Sequence, residues 1–328
     1  MRILSGIRPT GKLHIGHLVG ALDNWVKLQN EGNETFYFVA DWHALTTHYD
    51  DVSHLKEYTK DIVRVLLAVG IDPERSVIFV QSGVKEHAEL TLLFSMIVSV
   101  SRLERVPTYK EIKKELNYKD LSNAGFLIYP VLQAADILIY RAEGVPVGED
   151  QVYHIELTRE IARRFNRMYD EVFPEPEAIL SKTPKLPGTD GRKMSKSYGN
   201  VINIEIDEKE LERMILTMVT DPARKRRTDP GNPESCPVWE YHKAFGVTEE
   251  QSQWIREGCT KAKIGCVDCK KLLLENMRKR LVPIWENLRK IDEDPRYVDD
   301  VIAKGNEKAR EVAEETMEKV RKAMNLMF

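Results

Sequence analysis

Residues 2–29 are RILSGIRPTGKLHIGHLVGALDNWVKLQ, and they predict a strand, a turn and a helix in that order. The opening apolar run is typical of a short buried strand, and the proline and glycine that follow are typical of a turn. A helix is predicted from about residue 16, because Leu18, Leu22 and Val26 recur on one helical face. A strand that leads into a helix in this way favours an α/β fold.

The alternation of strand and helix patterns continues after this stretch. Buried strands are predicted at residues 35–40 and 76–81, with an amphipathic helix between them at residues 53–69. Strands that alternate with helices predict a Rossmann-like, doubly wound parallel sheet with helices on both faces. Ligands of this α/β fold class bind beyond the carboxyl ends of the strands, so we expect the functional residues there.

The pattern changes near residue 202, after which no further strand is predicted. A loop rich in proline, glycine and arginine at residues 221–237 separates helical segments. We therefore predict two domains, an α/β domain at residues 1–200 and a helical domain at residues 201–328. The predicted helices of the second domain lie at residues 207–219, 238–245, 248–260, 270–291 and 295–324.

The amino-acid composition indicates where the protein works in the cell more clearly than what it does. The 328 residues are 42% hydrophobic and 31% charged, as in soluble proteins, and no apolar run approaches the ~20 residues that span a bilayer. No export signal is visible, so we expect a cytoplasmic protein. The net charge of −3 indicates nothing for or against nucleic-acid binding, because a balanced enzyme can bind RNA through one local basic surface. The local exception is Arg224-Lys225-Arg226-Arg227, whose simplest interpretation is a solvated loop.

Two histidines stand at the start of the first predicted helix, in His14-Ile15-Gly16-His17. A spacing of three places both imidazoles on one face of the first helical turn, where the positive end of the helix dipole stabilises anions. Gly16 permits a phosphate or an adenine ring to approach the backbone. Surface histidines of a capping turn are the alternative on this motif alone.

A second motif, Lys193-Met194-Ser195-Lys196-Ser197, follows a segment rich in proline and glycine. Two lysines on such a loop can close over a triphosphate and stabilise the charge that develops on a pyrophosphate leaving group. A lysine-rich loop that arose by chance is the alternative. Together and in this order, the two motifs indicate an enzyme that makes adenylates from ATP.

The pair resembles the two signature sequences of class I aminoacyl-tRNA synthetases, and further stretches resemble the tryptophanyl members of that class. The resemblance covers most of the chain and implies ATP- and Mg²⁺-dependent activation of L-tryptophan to tryptophanyl-adenylate, followed by transfer to tRNA(Trp). It also implies a homodimer, with a dimer-forming insertion around residues 91–145 and an anticodon-binding role for residues 201–328. The further stretches are residues 91–110, Tyr129-Pro130-Val131-Leu132-Gln133-Ala134-Ala135-Asp136-Ile137-Leu138, and Val145-Pro146-Val147-Gly148-Glu149-Asp150-Gln151 running into His154-Ile155-Glu156-Leu157-Thr158-Arg159.

Asp136 can also be interpreted from its neighbours. It lies in an apolar stretch with Leu132 and Leu138, where a carboxylate is costly to bury without a partner. An indole ring offers one donor, its N–H, so a carboxylate in an apolar slot selects tryptophan over phenylalanine. An Asp bonded to backbone or to a core partner is the alternative, and the resemblance favours ligand recognition.

The resemblance implies roles for the other site residues. Tyr129 and Gln151 would hold the α-ammonium group, His43 would line the indole pocket, and Gln133 belongs to the same specificity helix. The implied catalytic residues are His14, His17, Lys193 and Lys196. The implied ATP-binding residues are Arg8, Pro9, Thr10, Gly16, His17, Gly148, Glu149, Asp150, Leu186, Lys193, Met194, Ser195, Lys196 and Ser197, with Lys110 as a further phosphate contact.

Arg8 departs from the pattern that the resemblance implies. Many members of the family carry an uncharged Gln at this position near the nucleotide, and here Arg8 either reaches a phosphate or is a surface residue. The first signature keeps both histidines, whereas many tryptophan enzymes diverge there.

All four cysteines, Cys236, Cys259, Cys266 and Cys269, cluster with the spacing C-x22-C-x6-C-x2-C. In a cytosolic protein this clustering indicates a metal site rather than disulfides, with four small buried residues as the alternative. Structural zinc ribbons use two Cys-x-x-Cys knuckles, and only one is present. The spacing resembles that of a subset of bacterial tryptophanyl-tRNA synthetases, which implies a [4Fe–4S] cluster, with zinc as the second choice. We expect this site to shape the anticodon-binding surface.

Two other functions stay open at this point. A tyrosine–tRNA ligase shares the fold and a comparable Asp, although residues 145–151 and 154–159 favour tryptophan. The second is a cluster-bearing regulatory protein with a synthetase-like fold that does not charge tRNA. The intact signatures and the full helical domain argue against it.

Overall fold

A computed structural model of the chain describes residues 1–115, 120–180, 186–195 and 198–327. The chain divides into two compact units. The first contains Met1–Lys12, Trp25–Ser181 and Asp294–Phe328, and the second contains Leu13–Asn24 and Lys182–Glu293. This division differs from the predicted single boundary at residue 200, because the C-terminal segment belongs with the first strands of the chain.

Five parallel strands form the sheet of the first unit. Their order across the sheet is β3-β2-β1-β4-β5, and the register pairs Leu4 with Phe36, Phe36 with Val77, and Ile3 with Gly144. The order reverses at β1 and β4, which is the switch point where such sheets bind ligands. The predicted doubly wound parallel sheet is confirmed. The strands are β1 (Arg2–Ile7), β2 (Glu34–Val39), β3 (Ser76–Val80), β4 (Gly144–Val147) and β5 (Glu177–Leu180).

The sequence pattern does not predict β4 and β5. Each strand has only four residues, and β4 contains Pro146, which lacks the N–H group that a strand uses for pairing. Both strands form through their partners, with Val145 opposite Ala178. Residues 145–147, assigned by resemblance to a ligand loop, therefore belong to β4, and the loop itself begins at Gly148.

The helices of the second part of the chain match the predicted ones within a few residues at each end. A π-helical turn at Leu18–Leu22 joins α1 to α2, where the sequence predicts one continuous helix. Within the described ranges, no helix combines the length and the apolar composition needed to cross a membrane. In chain order the helices are α1 (Ile15–His17), α2 (Asp23–Asn30), α3 (Asp41–His48), α4 (Leu55–Val69), α5 (Glu86–Ser95), α6 (Val100–Leu103), α7 (Pro107–Glu115), α8 (Ala124–Leu127), α9 (Tyr129–Ile139), α10 (Val152–Met168), α11 (Glu208–Thr217), α12 (Pro237–Ala244), α13 (Glu249–Thr260), α14 (Cys266–Asp292) and α15 (Tyr297–Ala323).

One large apolar core of the first unit packs the sheet against α5, α9, α10 and α15. Phe36 and Phe38 of β2 and Phe79 of β3 lie in this core, and the rings of Phe38 and Phe79 stack with centroids 5.3 Å apart. Burial of large apolar side chains is the main favourable contribution to folding. The core therefore fixes α5 and α9, which carry the buried polar residues described below, against the sheet.

Helix α15 packs closely on the edge strand β3, which explains why the C-terminal segment belongs to the first unit. Gly305 lies so near that a Cβ atom there would be 1.7 Å from the carbonyl oxygen of Ile78. The next residue, Asn306, accepts a hydrogen bond through its Oδ1 from the backbone N of Val80 at 2.9 Å. An edge strand covered by a helix in this way is protected from pairing with another chain.

Helix α14 is the centre of the second unit and packs against α11 and α12. Trp285 of α14 donates its indole N–H to the carbonyl oxygen of Ile204 at 2.8 Å. Lys270, near the start of the same helix, is buried and donates from Nζ to the carbonyl oxygens of Leu216 and Met218 at 2.8 and 2.5 Å. These bonds satisfy the carbonyl groups at the end of α11, which have no partner within their own helix.

The variant Gly305→Ala should destabilise the protein, because the added methyl group overlaps the Ile78 carbonyl and forces α15 away from β3. We expect a loss of about 3 kcal/mol in the free energy of unfolding, measured by denaturant titration. Gly20→Ala is the matched control, since a Cβ atom at Gly20 meets nothing within 4 Å. Equal stability of Gly305→Ala and the parent protein would contradict this packing.

Candidate active site

The first signature lies at the start of α1, where its two histidines cap the turn. His14 Nδ1 accepts a hydrogen bond from the backbone N of Gly16 at 3.1 Å, and His17 Nδ1 accepts one from the backbone N of His14 at 3.2 Å. The two ring centroids are 3.8 Å apart. The histidines cap the turn, as the simpler alternative predicts, but they do so through Nδ1. Each ring therefore carries its proton on Nε2, the atom that can donate to an anion.

The two signatures meet within the second unit. Ile15 donates from its backbone N to the carbonyl oxygen of Ile202 at 2.9 Å, so the first signature pairs with the segment that follows the second. A Cβ atom at Gly16 would lie 2.9 Å from the His14 ring and 3.5 Å from Sδ of Met194. Glycine is required at this position because any side chain would displace the His14 ring.

Asn200 holds the second signature in shape. Its Nδ2 donates to the carbonyl oxygen of Lys193 at 3.1 Å and to Asp190 Oδ1 at 2.7 Å. Its Oδ1 accepts from the backbone N of Ser195 at 2.8 Å. The hydrogen bond from Asn200 is the main cause that lowers the pKa of Asp190 to about 2. Nothing in the sequence pattern predicts this role for Asn200.

The other predicted residues of this segment differ in their surroundings. Leu186 is buried, Met194 and Ser195 are half-buried, and Lys193 is exposed. Lys196 and Ser197, which the resemblance also assigns to ATP binding, lie outside the described residues.

A cluster of five residues, Arg8, His43, Thr108, Tyr129 and His154, lies in the first unit; we call it the Tyr129 cluster. The rings of His43 and Tyr129 meet edge to face, with centroids 5.6 Å apart. Desolvation is the main cause that lowers the pKa of His43 to about 3, and the charges of Arg8 and His154 add to it. His43 is therefore uncharged at neutral pH.

Thr108 links Tyr129 to His154 within this cluster. The Thr108 hydroxyl oxygen is 2.5 Å from the Tyr129 hydroxyl oxygen and 2.8 Å from His154 Nε2. Burial lowers the pKa of His154 to about 4, against a smaller opposite effect of the Asp150 charge. Burial also raises the pKa of Tyr129, against smaller effects of Thr108 and Arg8. At neutral pH, Arg8 is the charged member of the cluster.

Further predicted ligand contacts of the first unit lie at the carboxyl ends of β1 and β4. Pro9 and Thr10 follow Arg8, and the backbone N of Thr10 donates to the carbonyl oxygen of Arg8 at 2.9 Å. Gly148 ends β4 and leads into a 3₁₀ turn over Glu149–Gln151.

In that turn Glu149 and Asp150 are exposed. Gln151 donates from Nε2 to Asp150 Oδ2 at 3.0 Å, and a Cβ atom at Gly148 would lie 3.0 Å from Asp150 Oδ1. Lys110 is exposed on α7.

Asp136 is buried in α9, and its side-chain contacts with the described residues are made through Oδ1. Its Oδ1 accepts from Gln81 Nε2 at 2.7 Å and lies 2.6 Å from His87 Nδ1, while His87 Nε2 is 2.7 Å from the Tyr140 hydroxyl. Asp136 thus has core partners, as the simpler alternative predicts. Among the described residues, however, no group donates a hydrogen bond to Oδ2. Gln133, on the same helix, is half-buried.

The four cysteines are free thiols in the second unit. Burial is the main cause that raises the pKa of Cys269 to about 12, and the charges of Cys236, Cys259 and Cys266 raise it further. Cys269 therefore lies within electrostatic reach of the other three cysteines. In the described part of the chain, no three or more His, Cys, Asp or Glu side chains are positioned together as a metal site.

Arg224 corrects the interpretation of the basic run as a solvated loop. Its side chain is buried, and Nη2 donates to the carbonyl oxygens of Arg227 and Ile264 at 2.8 and 2.6 Å. Its Nη1 is 3.8 Å from Cys259 Sγ. Lys225, Arg226 and Arg227 are exposed, as predicted. The run therefore combines one internal cation beside a cysteine with three surface cations.

Comparison with known proteins gives one consistent result. Residues 1–282 match the family described as tRNA synthetases class I (W and Y). The chain is 83% identical to the Tryptophan–tRNA ligase of Thermotoga maritima over the full length of both proteins. The chain belongs to the tryptophan–tRNA ligases. It is therefore a class I aminoacyl-tRNA synthetase.

Two further members of the family agree with this assignment. The Tryptophan–tRNA ligase of Aquifex aeolicus is 46% identical, over 99% of this chain and 100% of that protein. The solved structure of the Campylobacter jejuni tryptophanyl-tRNA synthetase, complexed with ADP and tryptophan, has a TM-score of 0.87 at 35% identity and covers 99% of this chain and 100% of that one.

Sequence reasoning about the site missed the polar residues that surround the predicted ones. Gln81, His87 and Tyr140 support Asp136, and Thr108 and His154 support Tyr129. Gln81 carries a usable signal, because it directly follows a buried strand whose carboxyl end is predicted to face ligands. His87 belongs to none of the motifs, and its partner Asp136 is distant in the chain. Their contact therefore cannot be predicted without the fold.

The low pKa of His154 predicts a pH dependence of stability. The folded-state pKa of about 4 lies below the ordinary value of 6.5, so the unfolded chain binds a proton between these values and the folded protein does not. The contribution of His154 to the free energy of unfolding has its full value above pH 6.5 and falls as the pH drops towards 4. At pH 5 the loss is about 2 kcal/mol in the free energy of unfolding.

The measurement compares the parent protein with His154→Gln, whose amide can still meet the Thr108 hydroxyl but does not titrate. Denaturant unfolding at pH 7 and pH 5 should show the larger loss in the parent. An equal loss in both proteins would mean that His154 does not carry the effect.

Proposed function

We propose that the chain activates L-tryptophan with ATP to form tryptophanyl-adenylate and then transfers the acyl group to tRNA(Trp). The observation that carries this proposal is the buried Asp136, whose Oδ1 is occupied by Gln81 and His87 while Oδ2 has no donor among the described residues. An indole N–H supplies the missing donor, which the phenyl ring of phenylalanine lacks. A buried polar group that is satisfied only by the correct ligand gives strong discrimination.

The Tyr129 cluster supports a role in holding the amino acid. An imidazolium beside the substrate's α-ammonium group would repel it, and the low pKa values of His43 and His154 keep both rings neutral. The Tyr129 hydroxyl, together with Gln151, is proposed to accept from the ammonium group. The proposed roles of Gln133 and of Gly148, Glu149 and Asp150 towards the amino acid and the ribose rest on the resemblance.

His14, His17 and Lys193 are proposed to act on the phosphates of ATP. Because Nδ1 of each histidine accepts from a backbone N–H, the ring proton is on Nε2, and we propose that this N–H donates to a phosphate oxygen. Lys193, with Lys196, would stabilise the charge on pyrophosphate as the substrate carboxylate displaces it from the α-phosphorus. A bound Mg²⁺ neutralises part of the phosphate charge. No side chain forms a covalent bond with substrate in this reaction, so positioning and electrostatics supply the rate.

Pyrophosphate exchange into ATP tests the activation step. We expect exchange that depends on tryptophan and is absent with tyrosine, and the same protein should charge tRNA(Trp) with tryptophan. Lys193→Ala is the negative control for chemistry, with exchange reduced by about 100-fold because the leaving pyrophosphate loses a cation. Exchange with tyrosine would establish the tyrosine ligase instead. Binding of tryptophan without charging would favour a regulatory protein.

The proposal includes a homodimer, and an exposed apolar stripe in the predicted insertion supports it. Leu92, Met96 and Val100 are exposed, with 58%, 67% and 56% of their surface accessible. Leu92, on α5, and Met96, just after its end, are four residues apart and therefore share a face. Apolar patches of this kind mark protein–protein contacts.

A cytoplasmic location is part of the same proposal, because tRNA charging takes place in the cytoplasm.

We also propose that Cys236, Cys259, Cys266 and Cys269 hold a [4Fe–4S] cluster, with zinc as the second choice. Four cysteines are the number and kind of ligands that such a cluster takes, and the Cys269 thiol lies within electrostatic reach of the other three. Arg224 and Lys270 supply two positive charges beside them, which would offset the charge of four thiolates. A bound cluster would cross-link the helices of the second unit. The exposed Lys225, Arg226 and Arg227 are proposed to contact tRNA.

Metal analysis of anaerobically purified protein tests this part. We expect a brown protein with broad visible absorption and with iron and acid-labile sulfide in equal amounts. Cys269→Ser should lose most of the colour, whereas Lys225→Ala, a surface change, should keep it. A colourless protein that contains zinc would show that the cysteines bind zinc and not an iron–sulfur cluster. A protein that contains neither metal would contradict the proposed metal site.

A further inference from the structure

We infer that His87 is a positioning residue for tryptophan selection: oriented by Tyr140, it holds one oxygen of Asp136 and leaves the other for the indole N–H. This inference rests on the proposed function and concerns residues that neither signature contains. His87 and Tyr140 are completely inaccessible to solvent, and Asp136 is 3% accessible. Because the His87 side chain is inaccessible to solvent and contacts Asp136 Oδ1, His87 acts through that carboxylate.

The direction of the hydrogen bonds follows from the Tyr140 hydroxyl. Its hydrogen-bond partner among the described residues is His87 Nε2, at 2.7 Å. Burial, with smaller effects of the Asp136 and Glu86 charges, raises the pKa of Tyr140 well above its ordinary value, so the hydroxyl keeps its proton. That proton is donated to Nε2. An imidazole that accepts at Nε2 carries its proton on Nδ1.

The Nδ1–H group of His87 therefore donates to Asp136 Oδ1, over the 2.6 Å between the two atoms. The opposite tautomer would set two lone pairs against each other at this distance. Tyr140 thus selects the tautomer that binds the carboxylate. Hydrogen bonds to a charged acceptor are the stronger kind, so this contact restrains the rotation of the Asp136 side chain.

Gln81 completes the arrangement from another element. Its Nε2 donates to the same Oδ1 at 2.7 Å, and its Oε1 accepts from the backbone N of His43 at 3.0 Å. Two donors on Oδ1 fix the plane of the carboxylate and direct Oδ2 away from them. The contact with the backbone of His43 also ties this plane to the start of α3, whose His43 ring is a proposed wall of the indole pocket.

A purely structural network and a positioning network predict different substrate effects. Loss of core stability would reduce activity towards every substrate in the same proportion. Loss of carboxylate orientation would reduce only the contribution of the bond to the indole N–H. An amino acid that keeps the shape of tryptophan without that N–H separates the two cases.

The experiment measures pyrophosphate exchange with tryptophan and with β-(benzothiophen-3-yl)alanine, in which sulfur replaces the indole N–H. For His87→Leu we expect the ratio of kcat/KM for tryptophan to that for the analogue to fall by about 10- to 100-fold. The change should lie in the KM for tryptophan, with the KM for ATP unchanged. His87→Asn, which can place an amide N–H near the position of Nδ1, should recover most of the ratio.

Tyr140→Phe provides the test if His87→Leu does not fold. It keeps the ring, which packs on Phe36 and Phe79 at centroid distances of 5.0 and 5.2 Å, and removes only the hydroxyl. We expect a fall of up to about tenfold in the same ratio, because the preferred tautomer loses its support. Tyr37→Phe is the matched control, since Tyr37 is equally buried and its hydroxyl donates to the carbonyl oxygen of Trp25 at 2.8 Å, outside this network.

An unchanged ratio in Tyr140→Phe and in the folded His87 variants would overturn the inference while leaving the proposed function intact. An equal fall in activity towards both substrates would overturn it as well, because the network would then be purely structural. If the parent protein shows no exchange with tryptophan, the proposed function fails and this inference with it.

Discussion

A carboxylate inside an apolar helix must be hydrogen-bonded, and the first unit is arranged around that requirement at Asp136. Every residue of α9 except Gln133 is buried. The donors for the charge come from other elements: Gln81 directly follows β3, and His87 lies on α5. One charge therefore fixes these elements relative to one another, in addition to their apolar packing. A shift that separated α5 from α9 would leave a buried charge unpaired, which costs several times more than losing a few apolar contacts.

Burial also controls the charge of the Tyr129 cluster. It keeps His43 and His154 neutral, so the positive charge in this region belongs to Arg8. The charge of Arg8 lowers the pKa of both His43 and Tyr129, which means that the guanidinium acts on the cluster. The charge of Arg8 suits an anionic group of a ligand, a substrate carboxylate or a phosphate. The departure of Arg8 from the family pattern is therefore compatible with a role towards the ligand.

The two signatures are joined by backbone rather than by side chains. Leu13 accepts from the backbone N of Ile204 at 3.0 Å, and Ile15 donates to Ile202. These backbone bonds fix the first signature relative to the segment that follows the second one. The side chain of Lys193 is exposed. Asn200 fixes the second signature in a similar way, because two of its three bonds are to backbone groups. The two motifs are thus held to each other by backbone bonds, while His14 and His17 also use Nδ1 within their own turn.

The sequence predicts those elements and residue roles that depend on neighbouring residues in the chain. It does not predict those that depend on a partner far away in the chain. Apolar runs predict β1 to β3, and apolar periodicity predicts the helices from residue 207 onwards, because each of these segments carries its own apolar pattern. The short strands β4 and β5 carry too little pattern and form only by pairing with neighbours already in place. The motifs locate His14, Asp136 and Lys193, since their chemistry is visible in one residue type and its spacing. His87, Asn200 and Asn306 are different: each is an ordinary polar residue until the fold brings it a partner, which for Asn306 is the backbone of Val80, more than 200 residues away in the chain. Positioning residues are therefore the part of an active site that is hardest to predict from a single sequence, because their role depends on contacts that only the fold creates.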